Sequence, residues 1–309
     1  MKARPIVIAH RGASGYLPEH TLAGKALAFG MGADYLEQDV VATRDHELLV
    51  FHDLTLEQMS DVQARFPGRA RADGHFYCID FSLEEIRTLT VGERRAPQGR
   101  GLRYPGRFPD GAGRFGIPTL EEEIRFIQGL MRSTGRSVGI YPEIKNPAWH
   151  REQGVEVGPM LLEILARHGY TSADHAAFVQ CFEAAELQRI RHELRCPLRL
   201  VQLIDSSAGE LSATDLAQIA GYADAIGPSI SLIYRGMSGS KAMLTSLVSE
   251  AHAAGLKVHP YTFRKDDLPA GIADFDTLLD LFLMQIGVDG LFTDFADLAA
   301  AYVAAHFHV

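Results

Sequence analysis

The sequence has few cysteines, one tryptophan and no long apolar run, and these scarcities exclude several classes of protein. The 309 residues include three cysteines, one tryptophan and 9% aromatic residues. Cys78, Cys181 and Cys196 are an odd set without metal-type spacing, which excludes complete internal disulfide pairing and gives no redox motif. No apolar run approaches the roughly 20 residues of a membrane-spanning helix. With 47% hydrophobic and 22% charged residues, the composition is that of a globular protein with a sizeable core.

An excess of basic residues is also missing. The formal net charge is −9 and the pI is about 5.8, which argues against non-specific binding to nucleic acid or to an anionic membrane surface. An anionic substrate would then need local attraction from a metal ion or from a few placed cationic side chains. We expect a small-molecule substrate, no nucleic-acid partner and no stable membrane insertion. The sequence carries no signal for the oligomeric state.

The amino terminus has no recognisable export signal. The apolar stretch at its start is too short for the apolar region of a signal peptide. We expect a cytoplasmic protein on this ground, or a periplasmic one if the chain is a trimmed mature form.

Short apolar, β-branched runs alternate with stretches of helical spacing, which is typical of βαβ units and a parallel sheet. The predicted strands are 5–9, 34–41 with an adjoining strand at 48–51, 138–144, 177–181, 198–203, 225–228, 257–261 and 290–293. The predicted helices are 22–31, 82–89, 120–131, 155–168, 184–193, 215–222, 243–254, 275–286 and 297–305. Eight strand units favour a closed TIM (β/α)8 barrel as one domain over 1–309, although an open doubly wound sheet gives a similar local pattern.

One stretch, residues 54–116, interrupts this alternation. It is rich in Arg, Gly and Pro and has one convincing helical segment. A structureless connection of this length is unusual inside a compact domain. We therefore expect a small inserted subdomain after the second strand unit, packed near one mouth of the barrel and covering the site.

Charged and polar side chains occur at the end of the first predicted strand and within the second. His10 and Arg11 follow the first strand. Glu37 and Asp39 lie two residues apart on the second, so they share a face while Gln38 points away. Paired inward carboxylates are costly unless a cation neutralises them, and one oxygen-liganded divalent ion meets that cost.

Two more strand ends complete the candidate site. His52 follows the adjoining strand, and Glu143 and Lys145 share a face at the end of the third strand unit. The carboxyl ends of barrel strands form the catalytic face. Two imidazoles, three carboxylates, an arginine and a lysine suit phosphoryl transfer, because a cation and basic side chains stabilise phosphate charge while imidazoles relay protons.

Several motifs occur in a characteristic order. They are His10-Arg11-Gly12-Ala13, Pro18-Glu19-His20-Thr21, Tyr35 to Val40, His52-Asp53 and Pro142-Glu143-Ile144-Lys145, with further motifs at 66–70, 104–109, 179–182, 258–262 and 290–295. In order and spacing the chain resembles the glycerophosphodiester phosphodiesterase family, and the later motifs and the insert are similar to its bacterial periplasmic-type branch. The resemblance covers the whole chain.

The resemblance implies a metal-dependent phosphoric diester hydrolase of lipid and glycerol metabolism. It implies one divalent ion held by Glu37, Asp39 and Glu143, with Ca2+ favoured and Mg2+ or Mn2+ as alternatives. It further implies that His10 and His52 are the acid/base pair and that Arg11 and Lys145 hold the phosphate. The products that the resemblance implies are sn-glycerol 3-phosphate and an alcohol such as choline or ethanolamine. Either the glycerol 2-hydroxyl attacks phosphorus to give a cyclic phosphate, or water attacks directly.

Other positions carry weaker expectations. Glu19, a candidate for the substrate pocket, either supports the metal site or His10, or caps the following helix. Phe182, His259 and Tyr261 either bind substrate or pack in the core and rim. His20 stands where the family usually has Asn, and we do not interpret it as a third base.

Two other functions fit parts of the same pattern. A lysophospholipase D or sphingomyelinase D-like enzyme would use similar histidines and metal ligands, but it needs an apolar groove or membrane-facing patch for an acyl chain. A catalytically silent barrel would bind phosphodiesters without hydrolysis, and loss of a histidine or metal carboxylate would mark it. None of these residues is missing.

Overall fold

The computed structural model describes residues 3–96 and 101–307. In chain order the strands are β1 (Ile6–Ala9), β2 (Tyr35–Ala42), β3 (Leu48–Val50), β4 (Gly139–Ile144), β5 (Phe178–Cys181), β6 (Arg199–Ile204), β7 (Ala225–Pro228), β8 (Tyr234–Ser238), β9 (Lys241–Leu244), β10 (Lys257–Val258) and β11 (Gly290–Thr293). Eight of them run parallel in the order β10-β7-β6-β5-β4-β2-β1-β11. β3 pairs antiparallel with β2, and β8 with β9 as a separate hairpin.

The two ends of this strand order meet and make the barrel nearly closed. Asp289 N donates to Val258 O at 3.0 Å, and Phe292 N donates to Pro260 O at 3.0 Å. These bonds join the chain around β10 to β11. The predicted TIM barrel is confirmed, and the open-sheet alternative is wrong.

Helices lie around the barrel and in the chain between β3 and residue 120. They are α1 (Leu22–Gly30), α2 (Val62–Arg65), α3 (Leu83–Ile86), α4 (Leu120–Thr134), α5 (Pro147–Glu152), α6 (Val157–Arg167), α7 (Ala184–His192), α8 (Ala213–Ala220), α9 (Leu247–Ala253), α10 (Phe275–Leu279) and α11 (Ala296–His306). Side-chain caps fix several of their starts. Thr21 accepts from Gly24 N at the start of α1, and Thr119 and Glu122 form a capping box at the start of α4.

Aromatic side chains fill the barrel interior. Tyr141 stacks on Phe178 with ring centroids 4.7 Å apart and meets Phe292 edge-on at 5.1 Å. Tyr35, Tyr141 and Phe178 each lie two residues before a polar residue on the same strand. Because side chains repeat their direction every two residues, the aromatic layer lies directly beneath a polar layer nearer the carboxyl ends of the strands.

The chain between β3 and α4 packs around a hydrophobic cluster of its own. Leu56, Phe76, Phe81 and Val91 are buried in it, together with Leu49 of β3. This is the insertion expected after the second strand unit. Residues 97–100 of its predicted span, and the predicted domain limits at 1 and 309, lie outside the described residues, and its status as a subdomain stays a prediction.

Two predicted helices differ from the structure. Residues 243 and 244 belong to β9, and α9 begins only at Leu247, so the start of the predicted helix 243–254 is wrong. The apolar Met243 and Leu244 fit a helical face by spacing, but they pair in a hairpin whose outer face is exposed. The helix predicted over 275–286 is present as α10 followed by a π-helical segment, Asp280–Ile286.

Candidate active site

A cavity of about 360 Å3 opens at the carboxyl ends of the barrel strands. Eight of the residues predicted from the sequence line it: His10, Arg11, Glu37, His52, Glu143, Lys145, Phe182 and Tyr261. Asp39 is buried beside them, with its side chain 1% exposed. The structure therefore brings the predicted catalytic, phosphate-binding and metal-ligating residues together at one mouth of the barrel.

The carboxylates are placed by the pairing of β2 with β4. Asp39 and Glu143 are register partners, and Glu37 lies one inward position earlier on β2. Gln38 points out of the barrel and donates to Glu123 of α4 at 2.8 Å. The alternation predicted for these residues is confirmed, and it directs three carboxylates into one small volume.

Burial and mutual repulsion act on these carboxylates in different ways. Burial, and then the negative charge of Asp39, raise the pKa of Glu37 well above its usual range. Burial also raises the pKa of Glu143 to about 8, against the opposing charge of Lys145. Burial would raise the pKa of Asp39 too, but Lys145, His52 and other donors hold it well below its usual value. A divalent cation would relieve this repulsion, so the donor set fits one.

Arg11 and Lys145 place positive charge against the carboxylates. Arg11 N donates to Glu37 Oε2 at 2.6 Å, and its guanidinium donates to both oxygens of Glu19 at 3.0 Å. Lys145 Nζ lies 2.7 Å from Glu143 Oε1 and 3.5 Å from Asp39 Oδ1. Arg11 holds a left-handed backbone with φ of 58°, a conformation that a non-glycine residue adopts only when its surroundings fix it.

His10 is oriented by Asp294, which follows β11. The His10 Nδ1 and Asp294 Oδ1 atoms are 2.7 Å apart. Burial would raise the pKa of Asp294, but Arg264, His10 and Arg107 hold it well below its usual range, so the carboxylate is an acceptor. His10 Nδ1 therefore carries the proton, and Nε2 keeps its lone pair. Burial, with the charge of Arg11, lowers the pKa of His10 to about 4, so the ring is neutral near pH 7.

His52 has an equivalent partner in the next residue. Its Nδ1 is hydrogen-bonded to Asp53 Oδ1. Burial works against ionisation of Asp53, but His52 and Arg94 lower its pKa to about 2. Burial, followed by the charges of Arg11 and Lys145, lowers the pKa of His52 to about 3. His52 is therefore also a neutral imidazole with a free Nε2.

His20 contacts the carboxylates as well. Its Nε2 lies 2.7 Å from Asp39 Oδ2, and its Nδ1 is buried without a hydrogen-bond partner. One ligand atom each from His20, Glu37 and Asp39 fall within 4.8 Å of one another, so this buried group could hold a metal ion. This group shares Glu37 and Asp39 with the predicted ligand set, but it contains His20 where the prediction has Glu143.

The residues with weaker expectations lie at different positions relative to the cavity. Glu19 bonds to Arg11 and Arg94, and the cap of α1 is Thr21. Phe182 is 39% exposed at the cavity rim and meets Tyr261 edge-on at 5.9 Å. His259 does not line this cavity. It is buried, with Nδ1 2.8 Å from Tyr141 Oη, and borders a separate cavity at the amino-terminal end of the barrel.

Sequence reasoning missed four residues that contact the site from outside it. Asp53, Asp294 and Arg107 enter the sequence analysis only as members of motifs, and Arg94 of the insert has no role there. Asp53 had a local signal, because it follows a strand-end histidine. The other three had none, because their contacts join residues far apart in the chain.

The fold and the site together define a TIM-barrel protein equipped for chemistry on an anionic phosphate ester. Comparison with known proteins agrees. The model of the glycerophosphoryl diester phosphodiesterase family matches residues 10–298. The chain therefore belongs to this family of phosphoric diester hydrolases. Its place in a periplasmic-type branch stays a prediction.

Individual relatives extend over most of the chain. A glycerophosphodiester phosphodiesterase of Haemophilus influenzae is 41% identical, covering 98% of this chain and 91% of the relative. One of Treponema pallidum is 36% identical, covering 96% and 91%.

Solved structures share the fold. A protein of Silicibacter pomeroyi has a TM-score of 0.74 at 23% identity and covers 98% of this chain and 95% of its own. A phosphodiesterase of Oleispira antarctica, solved with the product sn-glycerol-3-phosphate, has a TM-score of 0.68 at 23% identity over 97% and 96%. Among the helices of residues 3–96 and 101–307, none has the length and apolar character to cross a membrane.

Proposed function

We propose that this protein hydrolyses glycerophosphodiesters, such as glycerophosphocholine or glycerophosphoethanolamine, to sn-glycerol 3-phosphate and an alcohol. The observation that carries the proposal is the pair of neutral imidazoles, His10 and His52, that line one cavity with Arg11 and Lys145. The names of the 41% and 36% identical relatives, and the product bound to the Oleispira antarctica protein, support this substrate class.

The proton chemistry needs one acid and one base, and each imidazole can take either part. Each has Nδ1 bonded to an ionised carboxylate and Nε2 free. An anionic phosphodiester beside one ring raises the pKa of that ring, so binding prepares one of the two as the acid while the other stays a base. His10 and His52 serve equally a cyclic-phosphate route, in which the glycerol 2-hydroxyl attacks phosphorus, and direct attack by water.

The phosphate is held by the two cations of the cavity. Arg11 is fixed by Glu19, and Lys145 by Glu143, so both positive groups are positioned before substrate arrives. Preorganised cations stabilise the charge that develops on the non-bridging oxygens. Substrate binding by Phe182 and Tyr261 at the rim, at the glycerol or alcohol end, belongs to the same proposal.

We favour Glu37, Asp39 and Glu143 as the ligands of one divalent ion. His20 Nε2 faces an ionised Asp39, so it carries a proton and serves better as a donor that orients this carboxylate than as a ligand. An all-oxygen set suits Ca2+, which we favour, or Mg2+ or Mn2+. When bound, such an ion supplies Lewis-acid stabilisation of phosphate charge.

A lysophospholipase is less well supported. Phe182 is the only large exposed apolar side chain, among the described residues, that lines the site cavity. Met243 and Leu244 are exposed on β9 but do not line it. The cavity therefore offers little surface for an acyl chain.

The decisive experiment measures release of glycerol 3-phosphate from glycerophosphocholine by metal-stripped protein, with and without Ca2+, Mg2+ or Mn2+. We expect metal-restored turnover that falls by about 10²- to 10⁴-fold in His10→Ala and in His52→Ala. His192→Ala, an exposed histidine on α7, is the matched control. Absence of turnover on every glycerophosphodiester, with turnover of lysophosphatidylcholine, would replace this proposal by the lysophospholipase alternative.

A further inference from the structure

We propose that Arg94 and Arg107 of the insert are positioning residues for hydrolysis, each of which fixes the carboxylate that orients one catalytic histidine. The inference rests on the proposed function, since it takes His10 and His52 as the acid/base pair. It gives the insert a part in catalysis beyond covering the cavity.

Arg107 acts on the His10 side. Its Nη2 donates to Asp294 Oδ2 at 2.8 Å, while the other oxygen of Asp294 is bonded to His10 Nδ1. The rest of the guanidinium is also held, by Asp266 at 2.9 and 3.0 Å and by Ser14 O at 3.0 Å. The side chain of Arg107 is 6% exposed, so solvent does not replace these contacts.

Arg94 acts on the His52 side. Its Nη1 donates to Asp53 Oδ2 at 2.6 Å, and the other oxygen of Asp53 is bonded to His52 Nδ1. Its Nη2 donates to Glu19 Oε1 at 2.6 Å, and Glu19 in turn binds the guanidinium of Arg11. Arg94 therefore connects to both a catalytic histidine and a phosphate-binding residue.

The two sides repeat one arrangement from unrelated parts of the barrel. In each, an arginine of the insert binds the aspartate oxygen that does not contact the histidine. On the His10 side, Arg264 Nε also donates to this Asp294 oxygen, at 2.6 Å. An aspartate anchored at both oxygens cannot rotate, so the imidazole keeps its ring plane and its Nδ1–H tautomer. Arginine suits this role because its rigid planar fork holds two acceptors at fixed angles, whereas the lysine ammonium is a point charge on a flexible stem.

A covering role and a positioning role predict different kinetics. Loss of a cover changes substrate binding, and therefore KM. Loss of orientation lowers kcat, because the imidazole is misaligned after substrate has bound. Arg107→Gln is the cleaner case, since Arg107 has no contact with Arg11 or Lys145. We expect its kcat to fall about 10-fold with KM unchanged, which is the low end of the range for a residue that orients a functional group through another, because Arg264 still binds Asp294.

Crossed double variants provide the main test, with kcat on glycerophosphocholine as the readout. Arg107→Gln is combined with Asp294→Asn and with Asp53→Asn, and Arg94→Gln is combined with the same two. We expect the Arg107 effect to shrink to less than about threefold once Asp294 is changed, and to keep its full size when Asp53 is changed. Arg94 should give the reverse pattern.

Arg95→Gln is the matched control. Arg95 follows Arg94 in the insert, and its guanidinium is half exposed with Asp110 as its ionic partner. We expect wild-type kcat. Arg94→Lys and Arg107→Lys serve if a Gln variant does not fold, and thermal melting monitors folding throughout. Each Lys variant keeps the positive charge but lacks the planar guanidinium, so its kcat should lie between that of the Gln variant and that of the wild type.

The outcomes separate this inference from the proposed function. No turnover by the wild-type protein, with any metal or glycerophosphodiester, is a failure of the proposed function. Two other results overturn the positioning roles and leave the hydrolase assignment intact, provided that the wild type turns over substrate. In the first, the kcat losses of the Arg94 and Arg107 variants multiply fully with those of both aspartate variants. In the second, the arginine variants change KM alone.

Discussion

Lys25 Nζ lies 2.8 Å from Glu123 Oε1, and both side chains are fully shielded from solvent. The pair joins α1 to α4 behind β2. Lys25 Nζ also donates to the Glu37 carbonyl oxygen, and Glu123 accepts from Gln38. The strand that carries Glu37 and Asp39 is thus held from outside the barrel by a buried ionic network.

Glu123→Gln should be strongly destabilising, because it leaves the ammonium of Lys25 buried without a counter-charge. We expect a loss of about 3–5 kcal/mol in the free energy of unfolding, measured by urea denaturation. Arg125→Gln, which breaks an i,i+4 pair with Glu121 through a side chain that is 70% exposed on the same helix, should cost less than about 0.5 kcal/mol. Equal losses in the two variants would contradict the role of the buried pair.

The choice between Glu143 and His20 as the third metal ligand can be made by calorimetric titration. We expect Glu143→Gln to weaken Ca2+ binding by more than about tenfold, and His20→Asn to change it by much less, because Asn restores a donor to Asp39. Asn is also the residue that the family usually has at this position. If His20 were a ligand, His20→Asn would show the larger loss, and the wild-type protein would prefer Mn2+ or Zn2+ over Ca2+.

The parts of the fold that were predicted correctly are those with local signals. β2 is eight residues long and buried throughout, so in the sequence its inward carboxylates stand between two short apolar runs. His10, His52 and Glu143 were found because they stand at the ends of such runs. The β8–β9 hairpin was missed because four- and five-residue strands with exposed apolar side chains resemble the start of an amphipathic helix.

The contacts that orient the site were not predictable by the same reasoning. His10 and Asp294 are 284 residues apart in the chain and meet only because β11 closes the barrel beside β1. Arg107 reaches Asp294 across 187 residues. Composition and periodicity contain no information on which distant side chains will form a bond, so these roles required the folded structure.

His259 is expected to make the protein less stable in mild acid. Burial lowers its pKa from 6.5 to about 4. Between pH 6.5 and pH 4, His259 is therefore protonated in the unfolded chain but neutral in the folded protein. Its contribution to the free energy of unfolding is complete above pH 6.5 and is lost as the pH falls toward 4. The loss should approach about 3 kcal/mol for this residue.

Urea denaturation of His259→Gln between pH 4 and pH 7 tests this effect. Gln keeps a hydrogen-bonding group near Tyr141 but does not titrate, so its stability should depend on pH less steeply than that of the wild type. Its KM for glycerophosphocholine should be unchanged, because His259 lies outside the site cavity. A raised KM would instead place His259 in substrate binding.

Glu37→Gln should affect thermal stability differently in the absence and in the presence of Ca2+. With chelator present, Glu37→Gln removes one of three crowded carboxylates, so we expect a melting temperature equal to or above that of the wild type. With Ca2+ at about 100 times its dissociation constant, the wild type should gain about 2.7 kcal/mol and the variant much less. Differential scanning calorimetry gives both comparisons. A variant that melts below the wild type by the same margin in both conditions would mean that Glu37 has a structural role and contributes nothing to metal binding.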